Sequence, residues 1–417
     1  MEVVLALAPI PLSENYGADA ESARRVKRFP VDLYMCRQCG HVQHLDVIDS
    51  QSLWANYTYY SGDSKGMPEH FATFAADVLR RYSIPPGSLV VDIGSNDGSL
   101  LKPFKAAGHR VIGIDPAEAI ARMATDAGIP TVPELLSLEL ARKLRAQHGP
   151  AHVVCMFNAF AHADNMDEVA DAIREMLAPE GLFFFEAQYL LDIVDRLLIA
   201  TIFHEHMSHH SVAPLVPFLA RHGLQLVEIQ CVPIQHGSII GAVQLADGSH
   251  RVGNSVAGLL RLESERRLAE IATLREFAAR VGRLRNSTME LVRAWRAAEI
   301  DVAGYGAARS GPTLIAQLGL TGAIHYIFDD HPQKVGKYSP GDGIPIVPTA
   351  ELLRRMPPYV VILAWVHAEK IISSNQEYLR KGGRFVVLCP ETRVVGAEGD
   401  IPLANLKVGP GNEPKPC

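Results

Sequence analysis

Short apolar runs alternate with stretches of helical periodicity between residues 66 and 245. Such alternation is typical of βαβ units and predicts a parallel sheet. The segments that we predict to be strands are SLVVDIGS, RVIGID, HVVCMFN, GLFFFEAQ and LQLVEIQCVPI.

A second α/β pattern follows a charge-rich tract at residues 255–298, whose apolar residues recur at threes and fours. This spacing predicts helix with one packed face and one solvated face. The apolar segments of the second pattern are DVAGYGAARSG, IHYIFDDHP, PYVVILAWV and RFVVLCP. We therefore predict an α/β protein with domains at residues 1–65, 66–245 and 246–417, and a disordered tail, GPGNEPKPC.

Composition narrows the class of protein. The 417 residues exceed one ordinary core, and the net charge of −6 disfavours a nucleic-acid binder. No apolar run reaches the roughly 18 residues of a membrane helix. The start MEVVLALAPIP lacks the basic region of a secretory signal, and six scattered cysteines make no disulfide framework. We expect a cytoplasmic protein with no nucleic-acid or membrane partner, as a monomer or small homo-oligomer.

The first glycine loop, LVVDIGSNDGSLL at residues 89–101, predicts a strand, a tight turn and a helix start. Gly94 and Gly98 allow close backbone approach to a ligand, and Asp115 at the tip of the next strand suits a ribose. That spacing fits NAD or S-adenosylmethionine, but D-x-G-x-N-x-G is the form expected for S-adenosylmethionine. An incidental glycine pair is the alternative. The predicted cofactor residues are Asp92, Gly94, Ser95, Asn96, Gly98, Asp115, Asn158 and His162, the last two from MFNAFAHADNM.

A second glycine loop, VAGYGAARSG at residues 302–311, again predicts strand, turn and helix start. Backbone N–H groups at such a turn bind anions, and the planar guanidinium of Arg309 suits phosphate. Asp329 ends the next strand, and Lys334 follows it. By spacing alone this loop fits a second dinucleotide site as well as any other nucleotide.

The segment TIFHEHMSHHS at residues 201–211 holds four histidines and Glu205. H-E-x-x-H would bind a metal, but Ser208 stands where the second histidine is needed. On a helix, His206 and His210 would share a face as two metal ligands. A solvated polar turn is the second reading. A proton-transfer site is the third, because a neutral histidine suits removal of a C–H proton.

Taken together, the chain resembles the nucleotide-sugar C-methyltransferases, which methylate a deoxysugar carbon beside a keto group. The segments that carry the resemblance are CRQCGHVQ, NYTYYSGDS, VDIGSNDGSLL, FNAFAHADN, EAQYLLD, FHEHMSHHS, HGSII, AGYGAARSGPTL and HPQKVGKYSPGDGIPI. They run in family order over essentially the whole chain. The resemblance implies a small zinc-binding domain, a Rossmann-like S-adenosylmethionine-dependent methyltransferase domain, and a C-terminal α/β domain for the nucleotide-sugar.

The implied reaction removes a proton alpha to a ketone and transfers a methyl group to the enolate carbon. The resemblance implies that His206 is the base and that Glu205 helps to hold the sugar. The family tyrosine before His-Glu-His is Phe203 here, so the phenol near the substrate oxygen is missing. Candidate substitutes are His204, His209 and the tyrosines of residues 54–64. The implied substrate residues are Tyr57, Tyr60, His236, Tyr305, Gly306, Arg309, Ser310, Asp329 and Lys334, with Tyr59 in a catalytic role.

The pair C-x-x-C at Cys36 and Cys39 predicts half of a zinc ribbon. The family has a second such pair upstream, which this sequence lacks. His41 and His44 are candidate replacements, so a structural zinc site remains open. Three rivals to the C-methyltransferase are an O- or N-methyltransferase, a nucleotide-sugar-binding protein without catalysis, and a metal hydrolase.

Overall fold

A computed structural model describes residues 1–49, 53, 54, 57, 59–64 and 66–402 of the chain. The predicted disordered tail lies outside these residues. The strands are β1 Glu2–Leu5, β2 Ile10–Pro11, β3 Arg28–Phe29, β4 Leu33–Met35, β5 Val42–Gln43, β6 Leu89–Ile93, β7 Arg110–Ile114, β8 Thr131–Val132, β9 Ala151–Phe157, β10 Leu177–Gln188, β11 Ser208–His209, β12 Leu224–Val232, β13 Ser238–Leu245, β14 Val302–Tyr305, β15 Tyr326–Phe328, β16 Ile346–Val347, β17 Tyr359–Ile362, β18 Arg384–Val387, β19 Arg393–Gly396 and β20 Gly399–Ile401.

The α-helices are α1 Ala20–Arg24, α2 Met67–Arg81, α3 Leu101–Ala106, α4 Glu118–Asp126, α5 Leu138–His148, α6 Met166–Met176, α7 Leu190–Asp195, α8 Val212–Arg221, α9 Asn254–Glu265, α10 Ile271–Ala297, α11 Gly311–Gln317, α12 Leu352–Arg355, α13 Ala368–Ser374 and α14 Gln376–Arg380. Short 3₁₀ turns precede or follow several of them, among them Phe160–His162, Ile199–Thr201 and Trp365–His367.

The central sheet has the strand order β12-β13-β10-β9-β6-β7-β8. The predicted strands are confirmed, and β6 pairs in parallel with both β7 and β9. The expectation of a wholly parallel sheet is wrong in one place: β13 lies antiparallel between β10 and β12. The link from Val232 to Ser238 is too short for a crossover, so only an antiparallel hairpin can form there.

The C-terminal sheet has the order β16-β15-β14-β17-β18-β19-β20. Strands β14 and β17 pair in parallel at its centre, where the strand order reverses. This reversal is the point at which open α/β sheets bind ligands, beyond the carboxyl ends of the strands. The last two strands return antiparallel, which the sequence pattern did not predict.

The N-terminal sheet has the order β1-β4-β5-β11 and takes its last strand from the histidine-rich segment. Ser208 pairs with Gln43, and His209 pairs with Val42. The helical reading of that segment is therefore wrong, because β5 offers an open edge whose backbone groups bind residues 208–209. His206 and His210 do not share a helix face, and the two-ligand metal arrangement that needed it falls away.

The charge-rich tract forms two helices, α9 and α10, which break at residues 266–270. One face of α10 is buried at helical spacing, as predicted, through Leu274, Phe277, Val281, Leu284, Leu291 and Trp295. The helix packs on β1, and residues from the N-terminal, central and C-terminal sheets share one apolar core. Within the described residues, no helix combines the length and apolarity that crossing a membrane requires.

Candidate active site

A cavity of about 410 Å³ opens at the carboxyl ends of β6, β7 and β9. Five of the predicted cofactor residues contribute to its wall: Gly94, Asn96, Asp115, Asn158 and His162. Tyr57 and Tyr59 close it from the N-terminal side, together with Trp54. The fold thus brings the glycine loop, the acid after β7 and the residues after β9 to one cavity, as their spacing in the sequence predicted.

The first glycine loop is shaped by backbone geometry that only glycine adopts easily at Gly94. Its φ is +71°, and a Cβ there would lie 2.5 Å from the Cβ of Ala159. The Asp115 carboxylate accepts hydrogen bonds from the backbone N–H groups of Asn96 (2.8 Å) and Ala117 (2.9 Å). Burial raises the pKa of Asp115, against the lowering effect of these two donors. The acid is thereby held at the tip of β7.

Three predicted cofactor residues do not contribute to the cavity wall. Asp92 is buried within β6, where burial and then the charge of Asp115 raise its pKa. Ser95 is buried behind the loop, and Gly98 faces Ile129, whose side chain a Cβ would meet at 2.9 Å. These residues shape the turn, and a direct role for them in cofactor binding stays a prediction.

Asn96 also holds the segment at residues 59–62, which sequence reasoning did not foresee. Its amide nitrogen donates to the carbonyl of Tyr59 (2.9 Å), and its amide oxygen accepts from the N–H of Ser61 (2.9 Å). Asp97 accepts from the N–H of Gly62 (2.9 Å). The glycine loop beside the cavity therefore also holds residues 59–62, of which Tyr59 and Ser61 line the cavity.

A buried carboxylate stands behind Asn158, and this too was missed. Glu186, at the end of β10, is fully buried. Its oxygens lie 2.8 Å from the amide nitrogen of Asn158 and 2.5 Å from Nε2 of His70. Asn158 has a positive φ of 53°, and the hydrogen bond to Glu186 fixes the direction of its side-chain amide. A charged residue in the middle of the apolar run GLFFFEAQ was the available signal.

His206 lies beside the cavity, next to its wall residues His162 and Met207. Its Nδ1 is 2.6 Å from the carbonyl oxygen of Thr201, so Nδ1–H donates. Its Nε2 has no hydrogen-bond partner among the described residues. Burial, and then the charges of Arg309 and His44, lower the pKa of His206 to about 4 despite the Thr201 bond. The imidazole is neutral and presents a free acceptor nitrogen.

Four aromatic rings form a chain of contacts from the cavity to His206 and Phe203. Trp54 stacks on His162 at 5.5 Å between ring centroids, and His162 stacks on His206 at 5.4 Å. The Phe203 ring lies 4.1 Å from that of His206, tilted by 39°. Contacts with both His162 and Phe203 therefore constrain the His206 ring.

Arg309 occupies a different environment from the phosphate site that we expected. Its guanidinium lies 2.9 Å from a carboxylate oxygen of Glu205 and 3.2 Å from one of Glu14. It also lies over the rings of Tyr57 (4.3 Å) and Tyr59 (5.5 Å). The reason is tertiary: helix α11 packs on residues 199–202, so the loop after β14 points into the histidine-rich segment.

The remaining predicted catalytic and sugar residues divide between structural contacts and the C-terminal sheet. Nε2 of His204 lies 3.1 Å from the carbonyl oxygen of Pro30, so it joins the histidine-rich segment to the N-terminal part of the chain. The Tyr59 hydroxyl donates to Ser64 (3.1 Å), and Tyr60 precedes the turn at Ser61–Asp63. His236 stacks on Trp365 at 4.7 Å.

The second glycine loop repeats the geometry of the first. Gly306 has a φ of +86°, and a Cβ there would lie 2.4 Å from that of Ala364. Asp329 accepts from the N–H of Ala307 at 2.7 Å, as Asp115 does from Asn96. Lys334 donates to the Ala307 carbonyl at 2.9 Å. Nearby, Tyr305 is half-buried, and the Ser310 hydroxyl donates to the carbonyl of Leu363 (3.2 Å).

The cysteine pair does not form a complete zinc site within the described residues. Cys36 and Cys39 are free thiols, and no group of three histidine, cysteine or acidic side chains in this part of the chain has the arrangement of a metal site. Nε2 of His41 lies 3.2 Å from the Ser208 hydroxyl, and Nδ1 of His44 lies 3.0 Å from the Asp32 carbonyl. The rings of His41 and His44 also contact those of His210 and His209 in the histidine-rich segment, at 5.9 Å and 5.6 Å between centroids.

Comparison with known proteins agrees with the order of the domains. Family models match residues 1–54 (a zinc binding domain), 67–229 (a methyltransferase domain) and 233–390 (a C-methyltransferase C-terminal domain). The C-methyltransferase NovU of Streptomyces niveus is 36% identical over 399 residues, which are 95% of each chain. The ubiquinone biosynthesis O-methyltransferase of Burkholderia thailandensis is 28% identical over 160 residues, 35% of this chain and 68% of that one.

Among solved structures, the magnesium protoporphyrin IX methyltransferase of Synechocystis with bound S-adenosylmethionine is 16% identical. The alignment covers 43% of this chain and 80% of that one, with a TM-score of 0.32. The relationship to NovU spans both chains almost entirely, and a C-methyltransferase model matches the C-terminal part. The chain therefore belongs to the S-adenosylmethionine-dependent C-methyltransferases.

Proposed function

We propose that the enzyme methylates the carbon alpha to the ketone of a nucleotide-linked keto-deoxysugar, with His206 as the base. The observation that carries this proposal is the state of His206. Its Nδ1–H is committed to the Thr201 carbonyl, which leaves Nε2 as a proton acceptor beside the cavity. C-methylation needs a neutral base next to the predicted cofactor site, because the base must remove a C–H proton to form the enolate. Methylation of a hydroxyl that loses its proton easily does not need such a base.

The proposed reaction has two steps. Nε2 of His206 takes the proton from the alpha carbon, and the electron pair of the broken C–H bond forms the enolate. The enolate carbon then forms a bond to a methyl group. Bound S-adenosylmethionine would supply that methyl group, and its sulfur would keep the electrons of the broken sulfur–methyl bond, which leaves S-adenosylhomocysteine. Of the chain's own residues, Glu205 and the tyrosines of the cavity wall orient the sugar against the base.

The nucleotide part of the substrate is assigned to the C-terminal domain. The second glycine loop lies where β14 and β17 diverge, at the reversal of strand order. Lys334 and the His236–Trp365 pair lie near this end of the sheet. This half of the proposal rests on the fold and on the resemblance of the motifs.

The test is solvent hydrogen exchange. The enzyme is incubated in deuterated water with S-adenosylhomocysteine and nucleotide 4-keto-6-deoxysugars, and deuterium entry is followed by NMR. We expect exchange at one ring carbon, lost in His206→Ala and retained in the matched surface variant His325→Asn. Exchange that persists in His206→Ala contradicts the role of the base. A sugar that binds without exchange, yet yields an O–CH₃ or N–CH₃ product, contradicts C-methylation of that substrate.

A further inference from the structure

Arg309 joins the three parts of the chain at one point. It comes from the loop after β14, Glu205 comes from the histidine-rich segment, and Glu14 comes from the N-terminal part. The side chains of Glu14 and Glu205 are 8% and 6% exposed, and that of Arg309 is 21% exposed. A largely buried cation between two buried carboxylates is strongly constrained, because loss of either partner leaves an uncompensated charge.

The same guanidinium packs on two wall residues of the cavity. It lies 4.3 Å from the ring centroid of Tyr57 and 5.5 Å from that of Tyr59. Cation–π contacts of this kind are stronger where water is excluded than on an exposed surface. Arg309 itself does not contribute to the cavity wall, whereas both tyrosines do. Its influence on a ligand in the cavity therefore passes through these rings and through Glu205.

We propose that Arg309 is a positioning residue for proton removal: it holds Glu205 and the Tyr57–Tyr59 pair in place beside the cavity. This inference rests on the proposed function of His206. It differs from the phosphate contact that the sequence suggested, because the guanidinium is already engaged by two carboxylates.

The charge has a separate consequence for the base. The titratable and charged groups around His206 include Arg309, His44 and His209, and His162 stacks on its ring. Burial is the main cause that lowers the pKa of His206 and of His162, and the charge of Arg309 lowers both further. Removal of the charge should raise the pKa of His206, and a neighbour that acts only by packing would not produce that shift.

The experiment compares Arg309→Gln, Arg309→Lys and the exposed control Arg354→Gln in steady-state kinetics, with His206→Ala measured in parallel. We expect Arg309→Gln to lower kcat about 100-fold with little change in KM, as for a misplaced catalytic group. Its acid limb in kcat/KM should move to higher pH. Arg309→Lys should restore the wild-type limb but leave kcat about tenfold low, because a point charge cannot span both carboxylates. Arg354→Gln should match the wild type.

Three outcomes would overturn the inference: a raised KM with unchanged kcat in Arg309→Gln, an acid limb that stays where it is in that variant, or full activity in Arg309→Lys. The first would make Arg309 a substrate contact. If Arg309→Gln does not fold, the kcat of Arg309→Lys and the acid limb of its kcat/KM profile test the inference instead. Exchange that survives in His206→Ala would instead remove the proposed function on which the inference rests.

Discussion

The Nδ1 atom of His206 lies 2.6 Å from the carbonyl oxygen of Thr201. A carbonyl only accepts, so this bond selects the tautomer with the proton on Nδ1 and the lone pair on Nε2. The backbone at Thr201 thus fixes the orientation of His206, and whatever fixes residues 199–202 also fixes the proposed base.

Thr313 provides one such contact, because its buried hydroxyl donates to the carbonyl of Ile202 at 2.9 Å. We expect Thr313→Val to lower the free energy of unfolding by about 1 kcal/mol. It should also slow hydrogen exchange into the substrate, since the base loses its support. The matched control is Thr288→Val, which breaks a similar buried bond to Leu284 far from the site. Denaturant titrations should show comparable losses of unfolding free energy in the two variants. Hydrogen exchange into the substrate that is as fast in Thr313→Val as in Thr288→Val would contradict the prediction.

Asn96 fastens residues 59–62, and this predicts a binding defect without unfolding. Its φ of 50° favours glycine, so Asn96→Gly removes the side chain while relieving the backbone. We expect near-wild-type thermal stability but about tenfold weaker binding of S-adenosylhomocysteine, the loss from about two hydrogen bonds. Calorimetric titration measures the affinity, and amide exchange at Ser61 and Gly62 should accelerate. Unchanged affinity together with protected amides would show that the fastening is dispensable.

The buried pair of His70 and Glu186 predicts a loss of stability together with a loss of cofactor affinity. Among the described residues, His70→Leu leaves the fully buried carboxylate of Glu186 with Asn158 as its one side-chain partner. We expect the free energy of unfolding to fall by about 3 kcal/mol. Asn158 would lose its fixed direction on the cavity wall, so binding of S-adenosylhomocysteine should weaken. Glu180→Gln, an exposed carboxylate bonded to Ser249, is the control and should change neither quantity.

Buried histidines predict that acid destabilises the protein. Burial lowers the pKa of His44 to about 4 and that of His210 to about 3, and lowers the pKa of His209 as well. Unfolded histidine titrates near 6.5, so between that pH and the folded pKa the unfolded chain binds more protons. Stability is fully present above about pH 6.5 and is lost as the pH falls, by roughly 1.4 kcal/mol per histidine and pH unit.

Denaturant titrations from neutral pH downward check this prediction. The variant His210→Phe keeps a ring on Phe160, on which His210 stacks at 4.8 Å. It should flatten the acid limb of the stability curve by one histidine. A curve as steep as that of the wild type would show that His210 does not titrate on unfolding.

Local patterns in the chain were enough to predict five of the seven strands of the central sheet and the cavity at the carboxyl ends of β6, β7 and β9. Apolar runs bounded by glycine turns predict strands because a strand is buried over its own length. Gly94 and Asp115 could be placed together because parallel strands end at the same edge. The motifs also predicted the family, which the full-length similarity to NovU confirms.

Contacts between distant segments decided the rest. The partner of Arg309, the support that Glu186 gives to Asn158, and the pairing of His209 with Val42 each join residues far apart in sequence. No local rule ranks such partners, since a guanidinium binds a phosphate or a carboxylate equally well. Which one it meets depends on how the C-terminal domain packs on residues 199–202, and that packing is set by the shared apolar core.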